Sequence, residues 1–488
     1  MEAYRSQIIL GCVAAYFVLC IFVGLWAMRR THSSRDFFMA GRTLGFVVTA
    51  VAMFSSTMSG FGFVGGPGLV YQMGVSSIWI VVTASVGYCV SFYLLAKPLR
   101  EMAIAQDSIS LPDIVTHRYQ SRSVGLLTAI AILLGVLGYL ATQIIAMATV
   151  LQSLLVSMGG FEAVPISVCA AFSTSLLVFY CVTGGIIASV YTDLVQGGVM
   201  MVASVLVFVA AVMAVDGGIS GMSQTIMNDD PAAMSPWGTR GAFGCLSWYF
   251  VFALGACGQP HVITKLMMTR NAKTARMTLP VSMFGYIVTA LLWISIGLAM
   301  RALVLQGAYP SLSTPDAAAP EFLQRYTHPI LAGIVFAGLF AAIMSTADAF
   351  LNIGAAALVH DIPKSLRFKP SPDTELLRAR WATIGIAVVA TVFGLYTGDL
   401  VALLGAFGWG TFAAALVPTV AIGISWKRAT AGAACTAILA SLLVNFSLKA
   451  FEIPVPLNLD TGAIALMVSL TLFLAISLFS KPNKHSLD

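Results

Sequence analysis

One short segment carries the side chains most able to do chemistry in a chain of otherwise apolar residues. In the segment FAAIMSTADAF, Ala342, Ser345, Thr346 and Ala349 follow the i, i+3, i+4, i+7 spacing of one helix face. This small, partly polar face allows another helix to approach closely, and Asp348 lies next to it. Hydroxyl and carboxylate oxygens suit a hard cation better than they suit a soft metal.

A second carboxylate, Asp193, lies within another apolar run, GGIIASVYTDLVQGG. An ionisable group at the centre of a membrane helix costs about 2.5 to 3.5 kcal/mol on insertion scales, so it normally faces the bundle interior and marks an ion or proton path. A hydrogen bond between helices, without ion traffic, is the alternative for Asp193 and for Asp348. The residues predict a site for a hard cation without identifying that cation.

The elements that must position these residues are membrane helices. Of the 488 residues, 59% are hydrophobic and 9% are charged, whereas a soluble domain carries about 25% charged residues. Apolar windows of roughly 20 residues, enough to cross about 30 Å of hydrocarbon, recur along almost the whole chain. We predict an all-α membrane protein with thirteen transmembrane helices. The predicted spans are residues 7–28, 44–71, 77–99, 123–155, 163–183, 184–215, 242–268, 275–303, 328–360, 379–397, 399–425, 429–450 and 461–480.

Basic residues are distributed unevenly between the predicted loops. With the N-terminus outside and the C-terminus in the cytoplasm, most of the 26 lysine and arginine residues lie on the inner side, as membrane proteins prefer. We place Lys265 among these inner residues and expect no lysine or arginine within the membrane. An anionic solute would then depend on helix N-termini, hydroxyls and a bound cation. The net charge of +6 is attributed to this bias and not to a nucleic-acid partner.

The second and seventh predicted spans contain helix-breaking sequences, SSTMSGFGFVGGPG and GACGQPH. Clustered glycines and a proline lower the cost of leaving helical geometry. Interrupted helices five spans apart are typical of an inverted-repeat transporter with its site at the bilayer midplane, and carbonyls freed at residues 55–58 would face the hydroxyls of the ninth span. The alternative is that glycine and proline only permit close packing or a kink.

Four segments together resemble the sodium/solute symporter family over about residues 8–480: RDFFMAGRTLG, VTGGIIASVYTDLVQGGVM, GQPHVITKLM and GLFAAIMSTADAFL. Within that family, the chain is most similar to the proline and small-carboxylate branches. The resemblance implies a LeuT-type five-plus-five inverted repeat with one extra N-terminal helix and two extra C-terminal helices. The corresponding units are residues 7–28, 44–215, 242–425 and 429–480.

The resemblance also implies a sodium site between the second and ninth spans. Its predicted ligands are the backbone carbonyls of Ser55, Met58 and Ala342 and the hydroxyls of Ser345 and Thr346. Some members hold a second sodium with an aspartate matching Asp193 and two hydroxyls at the positions of Asp348 and Ala349. Here one hydroxyl has become a carboxylate and the other a methyl group. Asp348 could complete an altered second cation site, bind or relay a proton, or accept a hydrogen bond.

The solute is expected near the two breaks. The candidate residues are Thr57, Ser59, Gly60, Tyr139, Gln143, Phe252, Gln259 and Trp409. Thr57 replaces an aspartate of the proline-type members, and part of their aromatic cage is replaced near the seventh-span break, so a small amino acid such as proline and a short monocarboxylate both remain open. Tyr139 and Gln143 could instead join helices, and Trp409 could be a gate or a packing residue. We expect His261 and His360 to be interfacial or capping residues near the cytoplasmic ends of their spans.

The function predicted from the sequence is sodium-coupled symport of a small organic solute by alternating access. The expected partners are the solute, co-transported sodium and the lipid bilayer, with no nucleic acid, and the expected unit is a monomer in the plasma (inner) membrane. Two alternatives are a proton-coupled transporter of the same fold and a transporter-like membrane sensor, although the chain ends shortly after its last predicted helix. No phosphate-binding loop, zinc spacing or Ser/His/Asp arrangement suggests an enzyme.

Overall fold

Helices joined by short loops make up the computed structural model, which describes residues 4–28, 46–157, 164–269, 271–368 and 372–480. Within these ranges, 11 helical segments are long and apolar enough to cross a membrane, and two shorter apolar helices accompany them. The prediction of a multi-pass helical membrane protein is confirmed. The count of thirteen spans remains a prediction.

The α-helices are numbered in chain order. They are α1 (Arg5–Met28), α2 (Phe46–Thr57), α3 (Gly66–Met73), α4 (Ile78–Ala105), α5 (Leu111–Tyr119), α6 (Arg122–Ser157), α7 (Ile166–Ala214), α8 (Gly218–Asp229), α9 (Gly241–Trp248), α10 (Pro260–Met268), α11 (Ala272–Leu305), α12 (Ala318–Tyr326), α13 (Pro329–Ala356), α14 (Ile362–Ser365), α15 (Pro372–Thr397), α16 (Val401–Leu416), α17 (Ala431–Ala450) and α18 (Thr461–Phe479).

The predicted spans 163–183 and 184–215 are not separate helices in the structure. They form one continuous element, α7, of 49 residues. A straight helix of this length would extend about 74 Å at 1.5 Å per residue, more than twice the thickness of the hydrocarbon core. The element is therefore longer than one crossing needs, and the helix boundary predicted at residues 183 and 184 is wrong.

The interruption predicted in the second span is confirmed. Helix α2 ends at Thr57, Met58 and Ser59 form a bend, and helical geometry resumes as a π-helix at Phe61–Gly65 that leads into α3. A Cβ atom at Gly60 would lie 2.6 Å from the Cβ atom of Ala146. Glycine is needed here because α6 approaches the bend too closely for a side chain.

The interruption predicted in the seventh span is also confirmed. Helix α9 continues as a π-helix at Tyr249–Leu254 and a 3₁₀-helix at Gly255–Gly258, before the chain becomes extended at Gln259 with φ −76° and ψ 113°. Pro260 then opens α10. The ring of a proline disfavours helical geometry in the preceding residue, so the sequence itself places this break.

Helix α13 lies at the centre of the bundle and carries the segment FAAIMSTADAF. It packs against α1, α2, α6, α7 and α15. All residues from Gly338 to Asn352 are buried. Every polar group on this stretch must therefore find its partners within the protein.

An ion-pair cluster joins α5 to the π-helix at Ala357–Asp361 and to α14, which follow α13. Lys364 donates to Asp113 at 2.6 Å, and the His360 Nε2 atom lies 3.4 Å from the other oxygen of the same carboxylate. Burial alone would raise the pKa of Asp113, but hydrogen bonds from His360 and Lys364 outweigh it and lower this pKa to about 2. His360 is thus a partner in ion pairs with Asp113 and Glu375, and its interfacial position stays a prediction.

Replacing Asp113 by Asn should lower the free energy of unfolding by about 1–3 kcal/mol, because His360 and Lys364 lose the buried carboxylate that both contact, which leaves His360 with Glu375. The measurement is the melting temperature in detergent at pH 7. Since the pKa of Asp113 falls to about 2 in the folded state, the stabilisation is present above the ordinary Asp pKa of about 3.9 and disappears as the pH falls toward 2.

The control for this prediction is Glu101→Gln, which removes an exposed i, i+4 pair with Lys97. Such a pair contributes about 0–1 kcal/mol. Equal melting temperatures for the two variants would contradict the structural role of the cluster.

Candidate functional site

Two side chains from neighbouring helices complete the hydrogen bonds of the interrupted second span. In a continuous helix, the Ser56 carbonyl would accept from the Gly60 N–H. Here the Ser56 carbonyl accepts from the Thr346 hydroxyl at 3.0 Å, and the Gly60 N–H donates to Gln143 Oε1 at 2.9 Å. Because buried backbone groups need partners, the break in this span depends on both α13 and α6.

The predicted sodium ligands of α13 lie directly against this break. The hydroxyls of Ser345 and Thr346 each donate to the Ala342 carbonyl at 3.1 Å. The Ser55 hydroxyl is fully buried and has no hydrogen-bond partner among the residues described. Met58 is buried in the bend that follows. An unpaired hydroxyl one residue before the Ser56 carbonyl, which the Thr346 hydroxyl contacts, fits the chemistry of a hard cation.

Lys265 lies inside the helix bundle. The prediction that no lysine lies there is therefore wrong. Its ammonium donates to Asp193 Oδ2 at 3.2 Å and to the Ala52 carbonyl at 2.6 Å. The exposed fractions of the Lys265 and Asp193 side chains are 3% and 0%. Counting spans could not reveal this pair, because hydropathy does not show which face of a helix end is buried. The available signal was its position four residues after His261, on the same face of α10.

Asp348 has a partner that the sequence did not suggest. Its carboxylate is fully buried and accepts a hydrogen bond from Asn352 Nδ2 at 2.9 Å. Asn352 follows it by one helical turn on α13, so the two side chains meet on one face. This bond is compatible with each of the roles considered for Asp348.

Aromatic rings surround the second break. The ring centroid of Tyr139 lies 4.7 Å from that of Phe350 and 6.2 Å from that of Trp409. Phe252 lies 5.7 Å from Trp409, and the hydroxyls of Tyr139 and Ser59 are 3.2 Å apart. The structure therefore brings together four of the predicted solute residues, from four different parts of the chain.

Two polar side chains at the second break have polar atoms without hydrogen-bond partners in the described ranges. Gln259 donates to the carbonyls of Gly255 and Trp409 at 3.2 and 3.3 Å, while its buried Oε1 atom has no partner in the part of the chain described. His261 lies 5.0 Å from Phe350 and 6.0 Å from Trp409, and neither of its ring nitrogens has a partner among the same residues. His261 is thus a central residue and not the interfacial or capping residue that the sequence predicts.

Two residues that the sequence predicts to contact the solute instead form hydrogen bonds within the protein. The Gln143 carbonyl oxygen is occupied by the Gly60 N–H. The Thr57 hydroxyl donates to the Met53 carbonyl at 2.9 Å and accepts from Tyr88 at 2.8 Å. Thr57 thus lines a separate small cavity together with Tyr88.

The chain is similar to known proteins along most of its length. A family model described as the sodium:solute symporter family matches residues 37–440. The osmoregulated proline transporter OpuE of Bacillus subtilis is 27% identical over 85% of this chain and 83% of its own length. The high-affinity proline transporter PutP of the same organism is 28% identical over 84% of this chain and 85% of its length. A sodium/proline symporter of Staphylococcus aureus is 26% identical over 88% of this chain and 84% of its own length.

Solved structures share the fold. A Na⁺-coupled sialic acid symporter, in a substrate-bound outward-open state, superposes with a TM-score of 0.78 over 98% of this chain and 99% of its own, at 21% identity. A nucleobase-cation-symport-1 family transporter in a closed conformation superposes with a TM-score of 0.58 over 93% of this chain and 98% of its own, at 14% identity.

Replacing Gln143 by Met should lower the free energy of unfolding by about 1–3 kcal/mol, because the buried Gly60 N–H loses its acceptor. Gln143→Glu keeps an acceptor oxygen at this position and is the matched control. The measurement is thermal unfolding of both purified variants without sodium. If Gln143→Met melts at the wild-type temperature, the bond does not support the break.

Proposed function

The chain belongs to the sodium:solute symporter family, and from this premise we propose that its solute is a small zwitterionic amino acid such as proline. It is a multi-pass membrane protein of a family of transporters, and sodium-coupled solute import is its function. Sodium is the co-transported ion and enters the cycle as a substrate. The following observations support an amino acid as the solute.

The buried acceptor of Gln259 is the observation that carries this proposal. Its Oε1 atom is unpaired among the described residues, and the nitrogen of the same amide donates to the backbone carbonyl of Trp409, whose ring packs against those of Tyr139 and Phe252. A protonated amine could donate to this oxygen and also lie on aromatic faces, which attract cations. A neutral imidazole at His261 offers one donor and one acceptor, so it can face a carboxylate as well.

A short monocarboxylate fits this site less well than an amino acid. It has no N–H group to offer, so it would leave Gln259 Oε1 buried without a donor, at a cost of about 1–3 kcal/mol. Three of the similar proteins are named proline transporters or symporters, which agrees with an amino acid substrate.

In the proposed mechanism, sodium binding is coupled to the movement of the two repeats. Sodium would bind between the freed carbonyls of the α2 break and the hydroxyls of Ser345 and Thr346, and would leave when α13 and α2 separate. The rocking units are residues 44–215 and 242–425, related as inverted repeats, in a monomer with its N-terminus outside and its C-terminus in the cytoplasm. One charge moving through 100 mV supplies about 2.3 kcal/mol, enough for a roughly fiftyfold solute gradient.

Proteoliposomes containing the purified protein should accumulate labelled proline, or another small amino acid of a panel, only under an inward sodium gradient. Short monocarboxylates in the same panel should not compete. Uptake driven by a proton gradient alone would support the proton-coupled alternative. Saturable binding without accumulation would support a sensor.

Thr346→Val should raise the sodium concentration for half-maximal uptake at least tenfold, because the ion loses a proposed oxygen ligand and a contact with a charged group contributes about 1.5–3 kcal/mol. Valine keeps the shape of threonine and removes only the hydroxyl. Thr346→Ser keeps the hydroxyl and should stay within about threefold of the wild type. An unchanged sodium dependence in Thr346→Val would remove Thr346 from the ion site.

A further inference from the structure

A buried ion pair lies beside the proposed sodium site and has no part in the mechanism so far. Lys265 of α10 and Asp193 of α7 are joined at 3.2 Å, and both side chains are almost completely buried. The Asp193 carboxylate also interacts with the Ser345 hydroxyl. The pair is therefore connected to the proposed sodium site through a single side chain, that of Ser345.

The Lys265 ammonium is held in place from two sides. Besides Asp193, it donates to the Ala52 carbonyl of α2 at 2.6 Å. If the ammonium left, a carboxylate would remain in a dry interior without a counter-charge, which is strongly unfavourable. Lys265 is thus a fixed positive charge, tethered to the protein at a position where an ion could otherwise bind.

Asp193 has the features of a cation ligand apart from this lysine. Its second oxygen, Oδ1, is buried and has no hydrogen-bond partner among the described residues. The Ser345 hydroxyl supplies another oxygen nearby. A cation bound to Asp193 would lie only a few ångströms from the ammonium. Repulsion between two unit charges about 4 Å apart, at an effective dielectric constant of about 20, would weaken such binding roughly a thousandfold.

We propose that Lys265 serves as a tethered cation that saturates Asp193, so that the protein binds one sodium ion and not two. This inference rests on the proposed function, because it specifies the ion stoichiometry of the same site. Lys265 is a positioning residue that touches neither sodium nor solute. Ala349 contributes only a methyl group on the adjacent face of α13, and the Asp348 carboxylate already accepts from Asn352.

Equilibrium binding of ²²Na⁺ to the purified full chain tests the proposal without knowledge of the solute. The wild type should bind one ion with a Hill coefficient near 1. Lys265→Gln removes the tethered charge, so it should bind two ions, with a Hill coefficient above 1 or a second, separate binding step. Lys265→Arg keeps the charge and should bind one ion.

The double variant Asp193→Asn with Lys265→Gln covers the case in which the single variant does not fold. It contains neither buried charge, and it should bind one ion with an affinity within about threefold of the wild type. Two ions in the wild type, one ion in a folded Lys265→Gln variant, or loss of sodium binding in the double variant would each overturn the proposal. A wild-type protein that binds no sodium would instead refute the proposed function.

Discussion

The missing helical hydrogen bond between Ser56 and Gly60 is the constraint on which the rest of the site depends. A membrane interior provides no water to satisfy the two released groups, so other helices must satisfy them. Thr346 takes the carbonyl and Gln143 takes the N–H. Because these side chains come from α13 and α6, the break, the proposed ion site and the central helix are parts of one arrangement. A change in the distance between α2 and α13 alters all three together.

Other buried polar side chains near this break also find their partners inside the bundle. Helix α13 is buried along its central length, and its hydroxyls and carboxylate are paired within the bundle. Lys265 and Asp193 neutralise each other in the same region. A buried pair of this kind contributes little net stability compared with apolar residues, but removing one partner is strongly destabilising. Such a pair therefore fixes the charge of the interior more than it strengthens the fold.

The second break has a different origin and a different use. Pro260 prevents Gln259 from continuing the helix, and the extended Gln259 turns its side chain toward Trp409. The rings of Tyr139, Phe252, Phe350 and Trp409 come from separate helices and pack against one another. One break thus gives the Ser56 carbonyl to the Thr346 hydroxyl, while the other bonds a buried amide to the backbone of Trp409.

The sequence by itself determined the membrane class, both helix breaks and the hydroxyl face at Ser345 and Thr346, because hydropathy, proline, glycine and helical spacing are local properties. Only the tertiary structure decided which side chains meet. It placed Lys265 against Asp193 and His261 among the rings, and it used Gln143 for the backbone of Gly60. It also joined two predicted spans into α7. These outcomes depend on how distant helices pack, and no local pattern specifies the face that a helix turns toward a partner more than 70 residues away along the chain.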